Sequence, residues 1–146
     1  MITDALPKDV DDLAKLFDAY RQFYHCSADL RAAQDYVKER IAQGLTRFFV
    51  SRDSMEMNGF IHLLPSFDTL AMKQSWILED AYVAPSFRCS GVGTALIQYA
   101  ENIARTSGAS RLTLSTAHTN LQAQRVYERQ GWVLDTEFCY YHRMLD

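Results

Sequence analysis

The stretch Tyr82–Thr94, YVAPSFRCSGVGT, constrains this chain more than any other. A strand ends here, Pro85 breaks regular structure, and a helix begins near Gly91. The first N–H groups of a helix have no partner within it. Together with the helix dipole they attract anions such as a diphosphate. Gly91 and Gly93 let such a group approach the backbone, because no Cβ intervenes. Arg88 either adds positive charge or braces the loop. A strand, a glycine loop and a helix in this order point to a mixed α/β domain with helices packed on a sheet.

The remaining pattern agrees. Ile2 to Ala5 suits a short first strand, and Pro7 suits the first turn of a helix. Val10, Leu13, Phe17 and Tyr20 follow at helical spacing. Ser27 suits the cap of a second helix with Leu30, Ala33, Val37 and Ile41 on one face, and Gly44 its stop. Arg47–Arg52 and Glu56–Leu64 are rich in strand formers, with a turn between them. Pro65 to Lys73 reads as a loop and Trp76 to Val83 as a further strand. Gly91 to Thr106 is helical, with Val92, Leu96, Tyr99 and Ile103 aligned and Gly108 at its end. Arg111 to Ser115 alternates. Asn120 suits the cap of a last helix running to Gln130. Trp132 to Phe138 and Cys139 to Met144 read as the final strands.

Composition narrows the class. The chain has 146 residues, of which 48% are hydrophobic, so one domain with a real core is expected over residues 1–146. No run is apolar for long enough to cross a membrane. The N-terminus carries acids where a secretory leader needs a basic start, so a cytoplasmic location is expected. Cys26, Cys89 and Cys139 lack metal-ligand spacing, as do the scattered histidines; no metal is expected. The net charge of −3 argues against a nucleic-acid partner.

Three ordered blocks carry a resemblance to a known family. Arg88-Cys89-Ser90-Gly91-Val92-Gly93 matches the R/Q-x-x-G-x-G/A motif of the GCN5-related N-acetyltransferases, the GNAT superfamily. Leu78-Glu79-Asp80-Ala81-Tyr82-Val83 looks like that family's fourth strand. Asn120 to Trp132, NLQAQRVYERQGW, looks like its N-x-x-A-x-x-x-Y-x-x-x-G-F/W segment. The match is specific over residues 75 to 145 and compatible before them. The Leu-Glu-Asp stretch is similar to that of spermidine/spermine acetyltransferases, and the chain as a whole resembles the microbial histone/polyamine acetyltransferase-like branch.

The resemblance implies a mixed sheet of about six to seven strands, splayed between strands 4 and 5, with about four helices on both faces. It implies acetyl-CoA as cosubstrate. Backbone groups of Ala81, Tyr82 and Val83 would bond the pantetheine arm. Amides of Cys89, Ser90, Gly91, Val92, Gly93 and Thr94, behind Arg88, would hold the diphosphate. Asn120, Ala123 and Tyr127 would lie further along the cofactor. The family often has Gly or a basic residue where Cys89 stands, so a positive φ there would be strained.

Acetyl transfer from a thioester needs a neutral amine and a proton for the departing thiolate. A lysine-like amine has a pKa of about 10.4, so only about a thousandth is neutral at pH 7. Glu79 is the candidate base, with Asp80 second, although a solvated carboxylate at a strand end is the plainer reading of Glu79. Tyr127 is the candidate acid by resemblance; spacing alone favours a packed aromatic. Tyr20, Tyr24, His25, Phe67 and Asp68 fall in segments that frame the acceptor pocket by analogy, and Tyr24 and Glu79 are the residues assigned to the amine. Dimers are common in the family, and Phe138, Tyr140 and Tyr141 suit either a homodimer contact or the core. The rival reading is a non-catalytic acyl-CoA-binding sensor or interaction module.

Overall fold

The structure, a computed structural model, describes residues 1–54 and 56–145. They fall into two compact units, Met1–Ser115 and Thr116–Asp146.

The first unit is built on a five-stranded sheet in the order β1-β2-β3-β4-β5. Its strands are β1 (Ile2–Asp4), β2 (Arg47–Arg52), β3 (Met57–Asp68), β4 (Lys73–Val83) and β5 (Leu112–Leu114). The first four pair antiparallel, and β5 joins β4 in parallel. Helices α1 (Val10–Phe23) and α2 (Leu30–Gln43) precede β2, and α3 (Val92–Thr106) connects β4 to β5.

Strand alternation divides the core between two faces. Phe48, Val50, Phe60 and Tyr82 face Leu13 of α1 and Val37 of α2 in one cluster. Phe17 stacks on Tyr36 at 5.3 Å and meets Phe48 edge-on at 6.3 Å, so the two helices and the sheet share one aromatic seam. The opposite face takes α3, with Tyr99 against Phe49 at 5.1 Å. Each fully buried side chain such as Leu13, Phe60 or Ile61 contributes about 1.5–3 kcal/mol.

Several sequence expectations need correction. The N-cap of α2 is Asp29, whose carboxylate accepts from the Ala32 N–H at 3.0 Å, and not Ser27. β3 and β4 run into the segment expected to be a loop, pairing as far as Asp68↔Lys73. Pro65 is tolerated there because β3 loses its β2 partner beyond Leu63, which leaves an edge segment. Asp68 closes the hairpin. The Ala71 N–H, followed by the Ser110 hydroxyl, holds its carboxyl below the usual range.

The second unit holds α4 (Leu121–Arg129), capped by the Asn120 side chain on the Ala123 N–H at 3.3 Å. The expected strands Trp132–Phe138 and Cys139–Met144 are not formed among the described residues, so the sheet has five strands rather than six or seven. Asp135 accepts from the Glu137 and Phe138 N–H groups at 2.9 and 3.0 Å. That local turn diverts amides a ladder would need. No helix among the described residues is long and apolar enough to cross a membrane.

Gly59 marks where α3 presses on the sheet. A Cβ there would lie 2.9 Å from the Tyr82 carbonyl oxygen and 3.1 Å from Leu96. Gly59→Ala is expected to lower stability by about 1–3 kcal/mol, read as a lower urea midpoint. An unchanged midpoint would mean that the helix has slack to move outward.

Candidate functional site

The parallel ladder of β4 with β5 ends at Leu78↔Leu114, while its antiparallel ladder with β3 continues to Gly59↔Val83. The segment Glu79–Val83 therefore forms one edge of a gap in the sheet. The Ala84 N–H donates to the Asn58 carbonyl at 2.9 Å, which fixes the phase of this ladder. Counting back by two, Tyr82 is hydrogen-bonded to Phe60, and the main-chain groups of Ala81 and Val83 turn outward toward the gap. Tyr82 contributes its ring instead, in edge contact with Tyr20 at 6.1 Å.

The same segment carries a β-bulge. Asp80 pairs with His62 and Leu78 with Leu63, so Glu79 has no opposite residue on β3. The extra residue reverses the alternation. Leu78 shares the α3 face with Leu63, and Asp80 shares the α1/α2 face with His62. Glu79 is exposed at the bulge.

Asp80 is closely held. Its Oδ2 lies 2.9 Å from His62 Nδ1, and its side chain is 13% exposed. His62 Nε2 lies 2.8 Å from the Thr46 hydroxyl, and its ring stacks on Phe48 at 3.8 Å. The Tyr20 phenol lies close enough to the same carboxylate to feel its charge. Burial first, then the Asp80 charge, pushes the Tyr20 phenol far above its usual range. Burial and Asp80 also raise the Tyr36 phenol. Both phenols stay protonated at working pH. Tyr24 packs edge-on against Tyr20 at 5.2 Å and is half-exposed.

Beyond Val83 the chain makes a short helical turn over Pro85–Phe87 and enters the loop. Arg88 braces this loop: its Nε donates to the Val83 carbonyl at 3.0 Å, and its guanidinium lies 5.5 and 5.6 Å from the Tyr82 and Phe23 ring centres. Cys89 takes the strained backbone expected, with φ of 61°. The Ser90 hydroxyl donates to the Phe87 carbonyl. Gly91 is the N-cap of α3 at φ of 89°, with no side-chain cap bond. The N–H groups of Val92, Gly93 and Thr94 follow in its first turn, before any intrahelical acceptor.

In the second unit, Asn120 and Ala123 form the cap of α4. The Tyr127 ring packs 6.0 Å from that of Trp132, and the main-chain N–H of Trp132 donates to the Tyr127 carbonyl at 3.1 Å. His25 is exposed with φ of 65° beyond α1, and Phe67 and Asp68 lie in the β3–β4 hairpin. Sequence reasoning missed His62, Thr46 and Tyr36. The available signal was His62 two residues from Phe60, a polar ring on a strand face that is otherwise buried.

The sequence profile described as the acetyltransferase (GNAT) family matches residues 10–132. An uncharacterized N-acetyltransferase of Bacillus subtilis (strain 168), YhfO, is 36% identical over 96% of this chain and 94% of its own. A probable acetyltransferase of Haemophilus influenzae is 24% identical over 86% and 85%. The crystal structure of a probable acetyltransferase superposes with a TM-score of 0.93 at 34% identity, covering 100% of this chain and 98% of the other.

The two loop glycines differ in kind. Gly91→Ala is expected to cost about 1–2 kcal/mol through its left-handed backbone alone. Gly93 lies in the first helical turn, and an added Cβ would meet only Val83, at 3.7 Å. Gly93→Ala is therefore expected to be neutral or stabilising by up to about 1 kcal/mol. Denaturant midpoints read both, and equal losses would refute the distinction.

Proposed function

This chain belongs to the acetyltransferase (GNAT) family, and from that premise we propose that it transfers an acetyl group from acetyl-CoA to a primary amine by direct attack in a ternary complex. One observation carries the reading. The gap edge Glu79–Val83 and the uncapped start of α3 lie a few residues apart in one unit, joined by the loop that Arg88 braces.

The residues present suit the cosubstrate. A Cβ at Gly91 would meet nothing within 4 Å, so the space over the loop is open to a diphosphate. The N–H groups of Cys89 to Thr94 would hold that group, helped by the α3 dipole. Outward main-chain groups of Ala81 and Val83 would bond the pantetheine amides, with the Tyr82 ring alongside. The family resemblance assigns Asn120 and Ala123 further cofactor contacts and Tyr127 the role of acid.

Acetyl-CoA supplies an activated acyl group on a thiol leaving group. The protein must then remove a proton from the incoming ammonium and return one to the sulfur. A carboxylate of the Glu79-Asp80 pair serves the first task and the Tyr127 hydroxyl the second. An unperturbed phenol near 10 protonating a thiolate near 8.5 works uphill by about 2 kcal/mol, which a catalysed barrier tolerates. The acceptor is a small amine, a polyamine or a protein lysine, with Tyr24 and Glu79 beside it. The family match crosses Ser115 without a break, which supports one acetyltransferase domain over residues 1–146. A cytoplasmic location and a homodimer belong to the same proposal.

The test is thiol release from acetyl-CoA across a panel of amines, with products read by mass. Tyr127→Phe is expected to lower kcat by about 10²-fold or more while calorimetry shows acetyl-CoA affinity near wild type. Unchanged turnover removes Tyr127 as the acid. Tight coenzyme binding with no turnover on any amine would favour the sensor reading.

A further inference from the structure

Glu79 and Asp80 are adjacent, and the reaction needs one of them. Their surroundings differ sharply. Glu79 sits exposed at the bulge. Asp80 lies on the α1/α2 face, among groups from four elements. These are Tyr20 on α1 with Tyr24 just past its end, Tyr36 with Arg40 and Glu39 on α2, His62 on β3 and Glu79 on β4.

A carboxylate has about four acceptor sites. The His62 ring takes one on Oδ2, and the Tyr20 phenol lies near the carboxylate. The remaining lone pairs are free to accept from an ammonium. His62 is itself fixed on three sides, by Asp80, by the Thr46 hydroxyl and by the stacked Phe48 ring. It is 1% exposed. A neutral ring with its proton on Nδ1 satisfies both bonds: Nδ1–H donates to Asp80, and Nε2 accepts from Thr46.

We propose that Asp80, not Glu79, receives the proton of the acceptor amine, and that His62, anchored by Thr46 and Phe48, is the positioning residue that fixes its carboxylate. The step balances. One N–H bond of the ammonium breaks, its proton passes to an Asp80 oxygen, and the nitrogen lone pair is released for attack on the acyl carbon. His62 keeps its own proton throughout. The phenols of Tyr20 and Tyr36 stay neutral, so they do not compete as bases. The aromatic walls they form with Tyr24 favour a cation at the same spot.

This inference rests on the acetyl-transfer reading, and the experiment separates the two. Kinetics are measured over pH with the best amine from the panel, and again with a fluorinated amine that is already neutral at pH 7. Wild type is compared with Asp80→Asn, Glu79→Gln, His62→Phe and His62→Asn. Asp80→Asn is expected to lower kcat by about 10²-fold or more on the protonated amine. Its log rate should climb with a slope near one toward the amine's own pKa, and the neutral amine should restore most of the loss. Glu79→Gln is expected to change KM and leave the pH profile superimposable on wild type.

His62→Phe preserves the stack on Phe48 but leaves Asp80 without its donor. It is expected to copy the Asp80→Asn slope, and adding it to Asp80→Asn should cost nothing further. His62→Asn, whose side-chain amide can still donate to Asp80, should recover part of the rate. Calorimetry with acetyl-CoA, near wild type throughout, shows that each variant is folded. A steepened profile in Glu79→Gln with a normal one in Asp80→Asn overturns the assignment while leaving acetyl transfer intact. Additive losses at His62 and Asp80 overturn the positioning role. A wild-type protein that acetylates no amine overturns the underlying reading as well.

Discussion

β4 has to satisfy two neighbours that want different things, and one extra residue resolves the conflict. From Trp76 to Leu78 the strand is paired on both sides, with β3 and with β5. A strand buried in that way has apolar side chains and no spare backbone groups. Beyond Leu78 the β5 ladder stops, and Glu79 is inserted without an opposite residue. The insertion turns Asp80 to the face that a regular strand would have given to its neighbour. Main-chain groups exposed along the gap and a carboxylate aimed under α1 and α2 thus arise at one point, from one irregularity.

The loop that follows depends on the end of the same strand. Cys89 in a left-handed conformation costs about 1–2 kcal/mol. Against this stand the Arg88 bond to the Val83 carbonyl, of the charge-assisted kind worth about 1.5–3 kcal/mol, and its position over two aromatic rings. Arg88 is exposed, so the lower part of that range applies, and the two effects nearly cancel. The loop is held in shape at little net cost, with the first-turn N–H groups of α3 directed away from the helix body. Arg88 acts here as a brace that ties α1, β4 and the loop together.

The helices were legible because their signals are local. Gly44 stops α2 at φ of 63°, and Asn120 caps α4 through its own side chain. The family blocks around Arg88 and Asn120 were legible for the same reason. What escaped depends on partners distant in the chain. Pro65 read as a loop because nothing local reveals that β2 has already ended beside it. Trp132 to Phe138 read as a strand from its residue types, yet Asp135 captures the amides. The bulge is not written in the residues themselves, since Leu-Glu-Asp-Ala is an ordinary strand sequence whose register is set by β3; only the family resemblance pointed to one in this strand. His62 lay in plain view, but its meaning required Thr46 and Asp80, sixteen and eighteen residues away.

The buried histidine bears on how the candidate site is held. An imidazole in an aromatic core with either nitrogen unpaired would cost about 1–3 kcal/mol. Both nitrogens are paired, so the penalty is removed, but little surplus stability follows over an apolar ring of similar size. His62 is thus a weak contributor to the fold and a strong constraint on direction. Its ring cannot rotate without breaking two hydrogen bonds and a stack, and Asp80 cannot turn away without leaving it unpaired. A flexible carboxylate would need to be ordered each time a ligand arrived, at about 0.5–1.5 kcal/mol per side chain. Here that ordering is done when the chain folds, which suits a carboxylate that must meet a small cation in one geometry.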